Sequence, residues 1–481
     1  MGLNTRGWAD NWARQRRSGL WFSAVLCAGS LSVTTPSPAA PTDCGTGSLS
    51  VAQARAAVEF VRVQVHDAHW HAPLNGADPA VQALTRLLKS LSAPLTAAEL
   101  ARRTNMALAE DRDGHLRLEF APDATAACFV LPLTLEWTDD GLLVLPGGPI
   151  PAGARVVSIG SHSLEDLQVL AAQSTPHENL YWARSTFARQ IARVDMLAAL
   201  GLAARDGSVE VVYEPPQGSE ARVRLKPARP KPETRPWIGY QIFTESSTGV
   251  LRLDRCDPTE EFFSVLAAFM REVKQKDLRK VAVDLRGNPG GDSSVALAVL
   301  GSLGLHVEQG FSVDVRVSAQ LLHDMPMFDP ASVAPAFQAA GLAAPAADAR
   351  EYLIPGPMVL GLLAQRLGDR TLEVVPGRDF YVLTNGGTFS SAALFAALVR
   401  DNHLGSLVGE PTGNSVTFNG SEIERPIPGL PYTLHLSTAR LLRPDRLAGP
   451  SPTLLPDLRA PQTPAALSAG RDAAVERIRN L

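Results

Sequence analysis

Residues 380–402 read FYVLTNGGTFSSAALFAALVRDN and join a strand pattern to a helix pattern through a glycine turn. The run FYVLTN predicts a buried strand, and the alanine- and leucine-rich run after the serines predicts a helix. A serine at a helix start usually caps the helix, but this position also lies at the positive end of the helix dipole. The adjacent Ser390 and Ser391 are therefore read either as a cap or as a nucleophile and its neighbour.

A second strand-to-turn unit lies at residues 279–294, which read RKVAVDLRGNPGGDSS. The glycine turn after the strand can present backbone N–H groups in one direction, as an oxyanion hole or a phosphate cradle requires. The stretch fits neither GxxxxGK[ST] nor GxGxxG, so the signature of nucleotide binding is missing. We expect Asn288 and Asp292 to shape the turn, and Arg286 to pair with a carboxylate nearby.

The order of patterns along the 481 residues predicts several domains. Helical spacing dominates from about 48 to 112, short alternating runs follow to about 236, and strands then alternate with helices, which indicates an α/β core. We predict a signal peptide at 1–40, a helical N-terminal domain at 45–118, a β-rich middle domain at 119–235 and the core at 236–475. The net charge of −4 gives no reason to expect a nucleic acid partner.

The N-terminus has the parts of a secretory signal. Three arginines precede GLWFSAVLCAGSLSV, and small residues follow near Ala39. We therefore expect an exported protein, with an uncleaved N-terminal membrane anchor as the alternative. In an exported chain the three cysteines after the signal allow one disulfide, and we expect Cys44 to pair with Cys128, although the sequence leaves the pairing open. The absence of a CxxC pair disfavours a structural zinc site.

Histidines offer two further candidate sites. His115 follows the turn at Asp113 in EDRDGHLRLEF and opens a strand pattern, where an imidazole with a pKa near working pH is a reasonable general base. The run HDAHWH at residues 66–71 has closely spaced histidines, but the acidic or cysteine ligands of a metal site are not apparent beside it. We interpret these residues as surface histidines and predict no metal.

Together these motifs resemble the serine peptidases grouped with the C-terminal-processing (tail-specific) proteases and the tricorn core. DLRGNPGG, TFSSAALFAALVRDN, LVGEPTGN and DRDGHLRL occur in the family's order, and GPIPAGARVVSIGSHSLEDL resembles its PDZ-like part. The resemblance implies Ser390 as the nucleophile, with the backbone N–H of Ser391 and of Gly290 or Gly291 as the oxyanion hole. It also implies a crotonase/ClpP-like core of ββα units with a PDZ-like middle domain.

The general base depends on which of two branches of the family the chain resembles. The tail-specific branch uses a lysine shortly after GEPT, and that position falls on Ser415, while no lysine occurs after Lys280. The tricorn-like branch uses a histidine, which His115 supplies. The acid that orients the histidine stays open at this point: Glu410 is the first choice, and the alternatives are Asp445 and Asp457.

The sequence thus predicts an exported serine endopeptidase that acts on peptide or protein substrates by a Ser–His–acid mechanism, with no metal or organic cofactor implied. One alternative is a catalytically inactive binding protein on the same fold. Another is an esterase or amidase that acts on small substrates through the same chemistry. No membrane partner is predicted beyond the N-terminal anchor, and the oligomeric state is not predicted.

Overall fold

The computed structural model describes residues 44–70, 78–121, 128–204, 207–230, 234–368 and 370–481. The predicted signal peptide lies outside these ranges. Within them, no helix is both long and apolar enough to cross a membrane. Cys44 and Cys128 form the predicted disulfide, and Cys256 is a buried free thiol.

The N-terminal part consists of helices joined by short loops. The helices are α1 (Val51–Ala68), α2 (Pro79–Ser90) and α3 (Ala97–Leu108), and the small strands β1 (Ser48–Leu49) and β2 (Leu95–Thr96) pair with each other. Ser50 begins α1 with a capping box to Gln53, and Asp78 caps α2 ahead of a proline at the first helical position. The chain leaves α3 toward His115 through a short 3-10 turn.

The middle part is a β-sheet with helices inserted in its connections. Its strands are β4 (Leu135–Thr138), β5 (Gly141–Val144), β6 (Arg155–Ile159), β7 (His162–Ser163), β8 (Val209–Glu214) and β9 (Ala221–Leu225). They follow the order β4-β5-β6-β8-β9, with β7 paired to β6. The helices are α4 (Leu164–Ser174), α5 (Leu180–Gln190) and α6 (Val194–Ala199). Apolar side chains from the sheet and from its three helices form its core.

The largest sheet of the core is mostly parallel, as the alternation of strands and helices predicts. Its strands, in spatial order, are β10 (Ile238–Phe243), β11 (Thr248–Leu253), β12 (Lys280–Asp284), β15 (Asp379–Thr384), β16 (Ser406–Gly409) and β19 (Leu458–Arg459). Only the β10–β11 pair of these described strands is antiparallel. The adjacent β12 and β15 therefore deliver both turns quoted above to the same carboxyl-end edge.

A second core sheet is antiparallel and brings in the N-terminal part. Its order is β14 (Glu351–Ile354), β13 (Ser312–Arg316), β18 (Tyr432–Leu442) and β17 (Phe418–Pro426), and β3 (Arg117–Phe120) pairs with β18. Because β3 follows His115 directly, this pairing carries the histidine to the core. It also places the residues around 118, the predicted end of the N-terminal domain, within a core sheet.

The remaining helices cover the core sheets. They are α7 (Glu260–Gln275), α8 (Ser294–Ser302), α9 (Ala319–Asp324), α10 (Pro330–Ala339), α11 (Gly356–Leu367), α12 (Ser391–Asp401), α13 (Pro464–Ser468) and α14 (Ala473–Arg479). Helix α12 has all but one of its side chains buried, which explains its run of alanine and leucine rather than an amphipathic pattern. The chain is thus a mixed α/β protein with several sheets.

Candidate active site

Ser390 occupies the turn between β15 and α12 in an unusual backbone conformation. Its φ is 52° and its ψ is −127°, and its side chain makes no capping hydrogen bond although it precedes the helix. A non-glycine residue in such a conformation costs on the order of 1–3 kcal/mol. The N–H of Ser390 donates to Asn414 Oδ1, so a side chain from another loop stabilises the turn. The hydroxyl of Ser390 is thereby left free of the capping role.

Ser391 differs from its neighbour because its hydroxyl is engaged in the fold. The residue is buried, and its Oγ donates to the carbonyl oxygen of Gly291 at 2.6 Å and lies 2.9 Å from Ser293 Oγ. Its backbone N–H lies in the first turn of α12, where helix N–H groups have no partner within the helix. The two serines therefore occupy different environments.

The glycine turn after β12 lies directly against Ser390. A Cβ on Gly290, whose φ is 106°, would lie 2.6 Å from Ser390 Cβ, and one on Gly291 would lie 2.1 Å from the Cys256 carbonyl oxygen. Only glycine fits either position. The N–H of Gly290 donates to Asn288 Oδ1 at 2.8 Å, as expected for an asparagine that shapes the turn. Of the two predicted glycine donors, Gly290 is therefore already engaged, which leaves Gly291.

His115 is buried beside the same turn. Its ring stacks on Phe389 with centroids 4.3 Å apart and on Phe418 with centroids 5.3 Å apart. Neither ring nitrogen has a hydrogen-bond partner among the described residues. Burial lowers the pKa of His115 below its ordinary value, although the charges of Glu422 and Asp113 oppose this. The imidazole is therefore biased toward the neutral form, which has a lone pair to accept a proton.

Two carboxyl groups face Nδ1 of His115. Asp113 Oδ1 lies 3.9 Å away and Glu178 Oε1 lies 4.0 Å away. Burial alone would raise the pKa of Asp113, but hydrogen bonding from His69 outweighs it and lowers that pKa to about 2. Burial and the charge of Asp113 raise the pKa of Glu178 well above its ordinary value. Asp113 is thus the ionised member of the pair.

The predicted first-choice acid, Glu410, lies in another environment. Its charged neighbours are Glu136, Asp139 and Arg459, and none of its carboxylate oxygens lies within ion-pair distance of His115. The loop after β16 turns toward the middle domain instead, which corrects the expectation that Glu410 reaches His115.

The two alternative acids serve local structure. Asp445 Oδ1 accepts hydrogen bonds from the N–H groups of Leu447 and Ala448. Asp457 accepts from the Leu407 N–H at 2.8 Å and pairs with Arg400 at 3.0 Å. Neither aspartate forms an ion pair with His115 in the described part of the chain.

The pH dependence of stability tests whether Glu410 acts outside the candidate active site. Burial, followed by the charges of Glu136 and Asp139, raises its pKa to about 8. The unfolded chain releases this proton near pH 4 to 5, whereas the folded chain keeps it up to about pH 8. The free energy of unfolding therefore falls as the pH rises from about 4.5 to about 8. We expect Glu410→Gln to raise the free energy of unfolding by roughly 2 kcal/mol at pH 8.5 and by little at pH 5.

Thermal unfolding of the two proteins at both pH values measures this effect, with exposed Glu220→Gln as the matched control. Hydrolysis by Glu410→Gln should stay near that of the unchanged protein. A Glu410→Gln protein that folds well but has lost its activity would return Glu410 to the candidate site.

The HDAHWH run does not consist of surface histidines as predicted. His66 is exposed and residue 71 lies outside the described residues, but His69 is fully buried. Its Nε2 lies 2.9 Å from Asp113, and its Nδ1 lies 3.3 Å from Asp111 and 3.4 Å from Asp78. Burial would lower the pKa of His69, but these carboxylates raise it to about 10. His69 is therefore a buried, ion-paired histidine and not a surface one.

A cavity of about 480 Å³ joins the parts of the site. Ser390, His115, Gly290 and Gly291 all line it. The rest of the wall is largely polar, and its charged or titratable members are Arg117, Glu119, Arg189, Glu422, Glu424 and His435. The cavity therefore brings the Ser390 hydroxyl, the His115 imidazole and the glycine turn around one largely polar space.

Asn414 and Glu178 are site residues that the sequence analysis missed. The lysine position was placed on Ser415, whose Oγ donates to the Pro452 carbonyl oxygen at 3.4 Å. It is the preceding residue, Asn414, that contacts the Ser390 turn. The GEPTGN motif pointed to this loop but not to the residue. Glu178 lies just before α5, far from every motif, and no sequence signal marks it.

Comparisons with known proteins give one family model and several solved structures of similar fold. Residues 247–446 match the family model described as Peptidase family S41. A comparison with curated protein sequences gives no match. Mature CPAF complexed with lactacystin has a TM-score of 0.59 at 15% identity, over 89% of this chain and 97% of that chain. Mature CPAF alone has a TM-score of 0.57 at 14% identity, over 89% and 96%.

A photosystem II D1 C-terminal processing protease is a more distant structural neighbour, with a TM-score of 0.42 at 14% identity over 89% of this chain and 96% of that chain. The two CPAF structures show a shared fold. The family match confirms the resemblance drawn from the motifs.

Proposed function

This chain carries a peptidase family S41 domain and is a serine-type peptidase, and on that premise we propose that Ser390 is its nucleophile and His115 its general base. The observation that carries the proposal is the cavity that both residues line, although they come from different parts of the chain. Ser390 is not used as a helix cap, and the ring nitrogens of His115 have no hydrogen-bond partner. Such groups are costly to bury unless they have a function.

The reaction begins with attack of Ser390 Oγ on the carbonyl carbon of a peptide bond. The neutral imidazole of His115 takes the hydroxyl proton, and returns it to the amine as the C–N bond breaks. Water then attacks the acyl-enzyme by the same proton path and releases Ser390. Asp113, ionised and facing Nδ1, stabilises the imidazolium and replaces Glu410 as the proposed acid.

The oxyanion of each tetrahedral intermediate is bound by backbone N–H groups. We assign this role to Ser391, in the first turn of α12, and to Gly291, because the Gly290 N–H donates to Asn288. Gly290 contributes by its lack of a side chain, which lets the turn approach Ser390. Preorganised donors of this kind typically contribute about 3 to 4 kcal/mol each to the rate.

The core is proposed to be crotonase-like, with ββα units, and the middle part to be PDZ-like. The N-terminal residues 1–40 are proposed to direct export, with an uncleaved anchor as the alternative. The substrate is proposed to be a peptide or protein cleaved internally, which the family match and the largely polar cavity wall support.

A fluorophosphonate probe tests the nucleophile directly, because it reacts with activated serines and not with ordinary ones. We expect modification on the peptide that contains Ser390, located by mass spectrometry, and its loss in His115→Gln. The inactive binding protein predicts no labelling at all. Peptide-library profiling of the unlabelled protein then separates a peptidase from an esterase or amidase acting on small substrates.

A further inference from the structure

The backbone of Ser390 depends on a side chain from a different loop. Its N–H donates to Asn414 Oδ1, and this contact accompanies the strained φ of 52°. Because a backbone N–H can only donate, the amide oxygen of Asn414 must face Ser390 and the amide nitrogen must face away. Asn414 is 1% exposed, so water has little access to replace this acceptor.

The amide nitrogen of Asn414 meets a residue of the middle part. Its Nδ2 donates to Glu178 Oε2 at 3.0 Å, and Glu178 Oε1 accepts the N–H of Gly114 at 3.2 Å. Gly114 is adjacent to His115 in the chain. Glu178 therefore links the loop that fixes the nucleophile to the loop that carries the base.

The segment around Glu178 is fixed rigidly against the core. Trp182 stacks on Phe389, with ring centroids 3.7 Å apart and planes 12° apart. Asn179 Nδ2 donates to the Pro452 carbonyl oxygen at 2.7 Å. A Cβ on Gly413 would lie 3.1 Å from the Trp182 ring, so the absence of a side chain beside Asn414 lets the indole approach. The position of Glu178 is thus set by close packing.

We propose that Asn414 and Glu178 are a positioning pair that holds Ser390 in its reactive conformation. Glu178 fixes the orientation of the Asn414 amide, and Asn414 fixes the Ser390 N–H. The adjacent N–H of Ser391 is thereby also held in its orientation. This inference rests on the proposed role of Ser390 as the nucleophile.

The test is the rate of fluorophosphonate labelling, together with kcat and KM on a peptide substrate. We expect Asn414→Ala to lower the labelling rate and kcat by about 100-fold with KM nearly unchanged, because a small misplacement of the nucleophile has effects of this size. Ser415→Ala is the matched control from the next position, and should label at the unchanged rate.

Conservative variants separate positioning from general stability. Asn414→Asp keeps an acceptor for the Ser390 N–H, so its labelling rate should exceed that of Asn414→Ala. Because the new carboxyl group must share a proton with Glu178, this labelling rate should fall as the pH rises. Glu178→Gln keeps one acceptor and turns the other into a donor, so its rate should lie between those of the unchanged protein and Asn414→Ala. Glu178→Leu should resemble Asn414→Ala. If Asn414→Ala fails to fold, the Glu178 variants give the same comparison.

The outcomes distinguish this proposal from the assignment of Ser390. If the unchanged protein labels and Asn414→Ala and Glu178→Leu label equally fast, the positioning pair is overturned while the nucleophile stands. If the unchanged protein does not label, the nucleophile and the pair both fall. A pH-independent Asn414→Asp rate equal to that of Asn414→Ala also overturns the pair.

Discussion

Replacing Ser390 with alanine is expected to lower kcat/KM by about 10⁵-fold while the protein stays folded. The loss corresponds to about 7 kcal/mol of transition-state stabilisation. It follows from removal of the attacking oxygen, since the Ser390 side chain makes no capping hydrogen bond whose loss would unfold α12. Steady-state hydrolysis of a peptide substrate, with circular dichroism to confirm the fold, measures the effect.

Ser391→Ala is the matched control, because the two serines are adjacent. This variant keeps its backbone N–H and loses only the hydroxyl that bonds the Gly291 carbonyl oxygen, so we expect it to retain activity within about tenfold. Equal losses in both variants would contradict the division of roles between them.

The unusual backbone conformation of Ser390 gives an independent prediction about stability. Glycine adopts a φ of 52° without the strain that alanine retains, so Ser390→Gly should be more stable to thermal unfolding than Ser390→Ala by about 1 kcal/mol. Equal stability would show that the turn relaxes in the absence of the serine.

Much of the core could be predicted because its signals are local. The strand before Ser390, the glycine turn at residues 287–291 and the α/β alternation are all encoded within short stretches, and the structure contains them. The absence of lysine after Lys280 was also decisive, since it excluded one kind of base without any structure. Arg286 pairs with Asp284 and Asp472, in line with the expectation that it pairs with a nearby carboxylate.

The groups around His115 could not be predicted because they meet only in three dimensions. Glu178 comes from the middle part, and sequence order gives no distance between it and the histidine. Asp113 lies two residues before His115, but its ionised state depends on buried His69, which sequence reasoning placed on the surface. Glu410 was chosen for its motif, whereas the path of its loop decides which residues it contacts.

His115→Gln is expected to lower kcat/KM by about 10⁴-fold and to change the pH profile of what remains. Hydrolysis by the unchanged protein requires a neutral imidazole, so kcat/KM should rise with pH through the pKa of His115. Burial lowers that pKa, which places the acid limb below about pH 6.5. In His115→Gln this limb should disappear, because no base titrates there. His115→Phe keeps a ring between Phe389 and Phe418 and serves as the variant with intact packing.

His435 is the matched control for the base, since it also lines the cavity. Its Nδ1 lies 3.3 Å from Glu422 and its Nε2 lies 3.5 Å from Glu119, so carboxylates face both ring nitrogens. Both ring nitrogens of His435 thus face carboxylates, whereas neither ring nitrogen of His115 has a hydrogen-bond partner. His435→Gln should therefore keep the acid limb and most of kcat, with any change appearing in KM. If His435→Gln removes the acid limb of the pH profile and His115→Gln keeps it, the base is His435. Asp113 and the residues that contact it then have only a structural role.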